Sequence, residues 1–247
     1  MRSPLKTSKP LRDIRYFESI DPPQLDQSMP SYASKLYSFP RACVALGQRV
    51  GMKCEELGIS IGGADHLYLC FTPSLPNGAV RTTEYATERW HRFVLYGMDL
   101  AFNSLPDERK LAAVTEATFS ALHRLASTEA PALEVLRHSV ESEGEALRVC
   151  LKVKATKQYR VRVEQTVPVH PQLAEVFVEV TNLRTQRSKM VRVAEVKFYD
   201  DAPSLVDRIA IVDHKLTIHP RKSFRASLIT ADYQVPIQLG LAELSGA

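Results

Sequence analysis

The chain has 247 residues, of which 45% are apolar and 24% charged, with 10 glycines and 15 prolines. This composition is typical of a globular protein, and it excludes an intrinsically disordered chain, a collagen and a coiled coil. Thirty-two Lys and Arg against 28 Asp and Glu give a formal charge of +4, which alone indicates neither nucleic-acid nor membrane binding. The four cysteines share no CxxC spacing, so the sequence predicts no zinc site and no redox-active pair.

The N-terminal half is predicted to mix helices and strands. Residues 1–30 contain five prolines and are expected to form an extended arm. In residues 38–57 apolar side chains recur at helical spacing, which predicts a helix. Residues 66–72 and 92–100 are rich in strand-forming side chains. A long helix should follow through residue 125, with Ser104 as its N-cap.

After Pro131 the pattern becomes mainly that of strands, following a short helix and an acidic turn at residues 141–145. In residues 147–154 and 158–165 apolar and polar side chains alternate with a period of two, as expected of half-buried strands. Short connections between successive strands favour antiparallel pairing. The further strands are predicted at residues 174–182, 189–200, 208–218 and 223–237. The apolar alternation slips near Ala194, which predicts a β-bulge there.

These patterns predict an α+β fold, in which N-terminal helices and strands pack on a mainly antiparallel C-terminal sheet. We expect one continuous globular unit with an arm at 1–30, a mixed α/β half at 31–140 and a mainly antiparallel β half at 141–247. No apolar stretch approaches the roughly 18 residues of a membrane span, and the N-terminus lacks the apolar region of a secretion signal. A cytoplasmic protein without a membrane partner is therefore expected.

Positive charge is concentrated in one stretch of the chain. Residues 147–197 hold eleven Lys and Arg but only four Glu, whereas the remaining residues are slightly acidic in sum. The polar positions of the first two strands carry many of these cations, namely Arg148, Lys152, Lys154, Arg160 and Arg162. Because alternate side chains of a strand point to the same side, we expect these cations on one face of the sheet.

This basic face is predicted to bind an acidic macromolecule. The predicted partner-binding residues are Lys152, Lys154, Tyr159, Arg160, Arg162 and Arg192. Tyr159 is the expected aromatic anchor. Since Tyr159 alone interleaves with the cations, the stacking platforms used for single-stranded nucleic acid are missing, and an acidic protein is favoured over nucleic acid. The competing interpretation is that the cations solubilise a solvent face and protect a strand edge from pairing.

Common catalytic signatures are missing from the sequence, and neither a cofactor nor a metal is expected. The chain has no phosphate-binding glycine loop, no HExxH and no GxSxG, and its seven histidines lack metal-ligand spacing. One pattern, Glu179 on one strand followed by Glu195-x-Lys197 on the next, is similar to the core of the PD-(D/E)xK nucleases. In that family the acids hold Mg²⁺ and the lysine orients the attacking water. If the protein is an enzyme, Glu179, Glu195 and Lys197 are its predicted catalytic residues. The preferred interpretation of the pattern is that these residues form ion pairs on the protein surface.

Four segments carry a family resemblance: HLYLCFTPSLPNG (66–78), WHRFVLYGMDLAFNSLPDERKLAAVTEATFSALHRLA (90–126), VAEVKFYDD (193–201) and IHPRKSFRASL (218–228). Their order resembles that of certain immunity proteins that bacteria make against their own polymorphic or type VI secreted toxins. The resemblance implies a cytosolic, non-catalytic protein that binds its cognate toxin and blocks the active site or substrate entry. The alternatives are a Mg²⁺-dependent nuclease and a nucleic-acid-binding accessory protein.

Overall fold

The computed structural model describes residues 9–20, 31–32, 35–83, 88–126 and 130–241. The chain divides into two compact units, Met1–Gly144 and Glu145–Ala247. The division falls a few residues after 141, where the sequence predicts that the β half begins. Both units combine helices with strands, and the sheets of the second unit are antiparallel, so the predicted α+β class is confirmed.

In its described residues the first unit has three α-helices and a mixed sheet. Its elements are β1 (Asp13–Glu18), β2 (Ser31–Tyr32), α1 (Arg41–Leu57), β3 (His66–Thr72), β4 (Val80–Thr82), β5 (His91–Gly97), α2 (Asp107–Leu125) and α3 (Ala130–Glu143). The strand order is β2-β1-β3-β5-β4, with β1, β3 and β5 parallel. The predicted α1, β3 and α2 are confirmed, whereas Ser104 is not a cap. Helix α2 begins after Pro106, and Ser104 ends a separate 3-10 turn.

Strand β1 lies within the predicted extended arm, and that prediction is wrong for this segment. All six residues of β1 pair in parallel with β3, and Ile14 and Phe17 are buried. The prolines that suggested an arm flank this strand, at Pro10 and Pro22, and do not interrupt it. Residues 1–8 and 21–30 of the predicted arm lie outside the described residues.

Helix α1 packs closely on β1 because two of its residues have no side chain. Gly47 and Gly51 are one turn apart and therefore lie on the same face of the helix. A Cβ atom at Gly47 would stand 2.6 Å from the carbonyl oxygen of Ile14. One at Gly51 would stand 2.9 Å from the carbonyl oxygen of Arg12. These separations are too short for real atoms, so the contact requires glycine at both positions.

The second unit is built from two antiparallel sheets. Its elements are β6 (Arg148–Ala155), β7 (Tyr159–Thr166), β8 (Ala174–Asn182), β9 (Arg187–Val196), α4 (Ala202–Leu205), β10 (Arg208–Val212), β11 (Lys215–His219), α5 (Phe224–Thr230) and β12 (Ile237–Gly240). One sheet has the order β6-β7-β8-β9 and the other β10-β11-β12. Apolar side chains of both sheets share one core, in which Val161, Val178, Ile209 and Ile218 are buried.

The sequence predicted the first sheet better than the second. Strands β6 to β9 match their predicted positions, and the predicted bulge is confirmed because Val193 has no partner between Arg192 and Ala194 in the register with β8. Residues 208–218 form a hairpin, β10 and β11, turned by positive φ angles at Asp213 and His214. The predicted strand at 223–237 is wrong, since its first part is helix α5.

Within the described residues, no helix combines the length and the apolar character that crossing a bilayer requires.

We predict that Gly47→Ala destabilises the first unit. Alanine favours a helix interior by up to about 1 kcal/mol over glycine, but its Cβ would collide with the backbone of β1. We expect a net loss of about 1–3 kcal/mol, the range typical of overpacking, measured by urea unfolding. The matched control is Gly63→Ala, whose Cβ would meet no atom within 4 Å. Equal stability of the two variants would contradict the close packing of α1 on β1.

Candidate functional site

The position of each cation in the second unit follows from the strand register of the β6–β9 sheet. Residues paired directly across antiparallel strands project from the same face. Val161, Val163, Val178 and Val180 pair across β7 and β8 and point into the core. Arg160 and Arg162 alternate with these valines and therefore project from the opposite, outer face.

A β-bulge at Leu151 separates the two predicted groups of cations. Cys150 pairs with Glu164, whereas Lys152 pairs with Val163, so that Leu151 is an extra residue in β6. After the bulge Lys152 and Lys154 project to the side of the core valines, away from Arg160 and Arg162. The prediction that all these cations share one face is therefore wrong.

The outer face is electrically balanced. Arg148, Arg162 and Arg192 stand there among four glutamates, Glu164, Glu175, Glu179 and Glu195, and the fourth arginine of this face, Arg160, lies at the end of the sheet. The largely buried Glu164 accepts from Arg162 Nε at 2.5 Å, and Arg148 Nε lies 3.3 Å from its other oxygen. Of the predicted partner-binding residues, Arg162 thus has an internal counterion.

Arg192, another predicted contact on the outer face, is also ion-paired. Its Nη1 lies 2.7 Å from a carboxylate oxygen of Glu175 and 2.7 Å from one of Glu195. The hydrogen bond to Glu175 and the charge of Glu195 raise the pKa of this arginine above its ordinary value. Because its charge is matched locally, Arg192 contributes little net attraction for an acidic partner.

Unmatched positive charge lies instead at one end of the sheet. We call this the basic end: the tips of the β6–β7 and β8–β9 hairpins, residues 152–160 and 180–189, which contain no Asp or Glu. It presents seven exposed cations, Lys152, Lys154, Lys157, Arg160, Arg184, Arg187 and Lys189. Among the described residues, no carboxylate forms an ion pair with the first six of these. The cations without an ion pair therefore share one end of the sheet and not one face.

The two hairpins of the basic end are held by hydrogen bonds. The hydroxyl of Thr156 accepts from the backbone N–H of Gln158 and of Tyr159, which closes the first turn. Asn182 closes the second, since its side-chain oxygen accepts from the N–H of Arg184 at 2.9 Å. The N–H of Leu183 donates to the carbonyl of Gln158 at 2.8 Å and joins the two tips. This network fixes the backbone from which the cations project.

Tyr159 does not form the surface anchor that the sequence predicted. Its side chain is 7% exposed and packs in the core, and its hydroxyl accepts from Gln158 Nε2 at 3.2 Å. The large exposed apolar side chains at the basic end are Val153, at 46%, and Leu183, at 36%. The sequence did not single out either residue, because Val153 lies in the apolar phase of a predicted strand and Leu183 in a predicted turn.

The nuclease-like residues do not converge on one point. Glu195 pairs with Glu175, while Glu179 lies four residues further along β8, about 13 Å away at the usual rise per strand residue. Lys197 follows β9 and donates from Nζ to Asp232 at 2.8 Å. In the part of the chain that the structure describes, no group of three His, Cys, Asp or Glu side chains is placed to hold a metal ion.

The structure brings together a histidine cluster in the first unit that sequence spacing did not reveal. Asp13, His66 and His91 begin three parallel strands and lie in one row. His66 Nδ1 lies 2.7 Å from Asp65 and its Nε2 3.7 Å from Asp13. The rings of His66 and His91 are 5.6 Å apart. Only the parallel register, which the sequence does not specify, aligns these residues.

The pKa values in this cluster reflect burial and neighbouring charge. Burial and then the charge of His66 lower the pKa of His91, whose Nε2 also lies 3.0 Å from the hydroxyl of Tyr68. At Asp65 burial acts to raise the pKa, but the hydrogen bond with His66 and the charge of Arg12 bring it below its ordinary value. The residues of this cluster form hydrogen bonds and ion pairs with one another, as expected where side chains connect neighbouring strands.

Neither a protein-family model, nor a curated protein, nor a solved structure matches this chain.

We predict that mild acid destabilises the first unit through His91. The unfolded chain takes up this proton near the ordinary histidine pKa, whereas the folded chain does so only at lower pH. The contribution of neutral His91 to the free energy of unfolding is therefore complete at pH values above the ordinary histidine pKa. It is lost as the pH falls towards the lower pKa of His91 in the folded chain. His91→Gln should reduce the fall in Tm between about pH 7 and about pH 5.

The matched control for this test is His138→Gln, on an exposed position of α3. It should retain the slope of Tm against pH seen in the unaltered protein. If His91→Gln also retains that slope, burial of His91 does not contribute to acid sensitivity.

Proposed function

We propose that this chain is a non-catalytic protein-binding protein that docks an acidic surface of its partner on the basic end. The single observation that carries this proposal is that six exposed cations on two adjoining hairpins form no ion pair with the described carboxylates. The outer face of the same sheet shows the alternative arrangement, in which Arg148, Arg162 and Arg192 form ion pairs with glutamates. Unmatched charge at one location attracts an oppositely charged macromolecule.

An acidic protein suits the basic end better than nucleic acid. Val153 and Leu183 are exposed among the cations, and an apolar contact within a polar rim is usual in protein interfaces. The aromatic ring within this region, Tyr159, is buried, so no base can stack on it. The hydrogen-bonded turns also reduce the conformational entropy that binding removes, which favours affinity.

The more specific form of the proposal is that the partner is a toxin and that binding inhibits it, as in the immunity proteins that the sequence resembles. Such a protein needs no catalytic group of its own. It needs a rigid surface that buries on the order of 800 Å² per partner. Long-range attraction by the basic end would then act mainly by accelerating encounter with the toxin.

The test is the double substitution Lys154→Glu with Arg184→Glu, one cation from each hairpin. The immobilised chain captures candidate partners from a nuclease-treated extract of the native host, and each is then purified and measured alone with the chain by stopped flow. We expect the double substitution to lower the association rate about tenfold or more at low salt, and less at high salt, because charge acts mainly on encounter.

A matched control, Arg208→Glu with Lys215→Glu, makes the same change of charge at exposed positions of the β10–β12 sheet. It should leave most of the association rate intact. The proposal is wrong if no purified protein binds in a manner that depends on Lys154 and Arg184. It is also wrong if the chain binds duplex DNA through these residues but binds no protein. Inhibition is supported only if the bound partner loses a toxic activity.

A further inference from the structure

Helix α5 presents an exposed apolar pair that neither the proposed function nor the core uses. Phe224 is 80% exposed and Leu228 62% exposed. The two residues are four apart in the helix, so their side chains are neighbours on one face. Isolated apolar residues on a surface need no explanation, but two large adjacent ones of this exposure indicate a contact.

The helix is fixed so that this face points outward. Ser223 caps the helix, because its hydroxyl accepts from the backbone N–H of Ala226 at 3.2 Å. Ala226 and Thr230 are buried on the opposite side. Phe224 therefore cannot turn towards the core unless the helix itself is displaced.

Three cations surround the apolar pair. Arg221 and Lys222 immediately precede the helix, and Arg225 lies within it; all three are exposed. Among the described residues none of the three has a carboxylate partner at ion-pair distance. Exposed Phe and Leu flanked by Lys and Arg are typical of helices that lie in the interface of an anionic membrane.

We propose that α5 is a peripheral contact with an anionic lipid surface, in which Phe224 and Leu228 enter the acyl boundary and the three cations meet lipid headgroups. A bilayer accepts protruding side chains without a matching pocket, whereas a protein partner must supply one. The cytoplasmic face of a membrane carries the negative charge that Arg221, Lys222 and Arg225 would recognise. This inference is independent of the basic end, which lies on other strands and carries a different set of cations.

The experiment is co-sedimentation of the full chain with vesicles of 30% phosphatidylserine and 70% phosphatidylcholine, compared with vesicles of phosphatidylcholine alone. We expect binding to the anionic vesicles and little to the neutral ones. Phe224→Ser with Leu228→Ser leaves the charge unchanged and removes the apolar contact. It should weaken partitioning about tenfold or more, given the free energy of burying such side chains.

Two further variants make the result specific. Val212→Ser removes an apolar side chain of similar exposure, 64%, at another place and should bind as the unaltered protein does. Lys154→Glu with Arg184→Glu tests whether the basic end alone attracts the vesicles, and we expect most of the binding to remain.

The proposal is overturned if the unaltered chain does not bind anionic vesicles at about 0.1 M salt. It is equally overturned if the Phe224 and Leu228 substitutions leave binding unchanged. Neither result bears on whether an acidic protein binds the basic end.

Discussion

One extra residue in β6 determines the face of the β6–β9 sheet from which Lys152 and Lys154 project. Strand side chains alternate between faces, so an inserted residue reverses the assignment of all those that follow it. With the bulge at Leu151, Lys152 and Lys154 are opposite Val163 and Val161. Without it they would stand beside Arg160 and Arg162 on the outer face. Leu151 itself packs against the core.

The β6–β9 sheet carries two kinds of surface. On the outer face Arg148, Arg162 and Arg192 form ion pairs with glutamates, and Glu164 in particular is held between Arg148 and Arg162. At the basic end the chain supplies cations without acids, on turns that hydrogen bonds hold in place. The first surface stabilises the sheet locally, whereas the second leaves its charge available to another molecule.

The sequence predicted those features that leave a local signal. The apolar alternation of β9 slips visibly near Ala194, and the structure has a bulge there, at Val193. In β6 the apolar residues Leu147, Val149, Leu151 and Val153 alternate without a slip, so no pattern indicates the bulge at Leu151. The basic face was therefore misassigned although the strand itself was placed correctly.

Other differences arise because tertiary contacts override local pattern. Strand β1 is short and lies between prolines, and its stability comes from pairing with β3 and from the approach of α1 at Gly47. Helix α5 contains residues that also suit a strand, but Ser223 supplies a cap and Ala226 a buried contact. The row of Asp13, His66 and His91 depends on parallel register between strands far apart in sequence.

The central claim is that, within the β6–β9 sheet, positive potential is concentrated at the basic end while the rest of the outer face is close to neutral. Amide proton relaxation by a cationic, an anionic and a neutral nitroxide cosolute measures this potential residue by residue. The account predicts that the anionic cosolute is enriched over the cationic one at residues 152–160 and 183–189, and that the two act about equally near Glu164, Glu179 and Arg192. Equal enrichment at both places would show that the cations are not segregated, and the proposed docking surface would have no electrostatic basis.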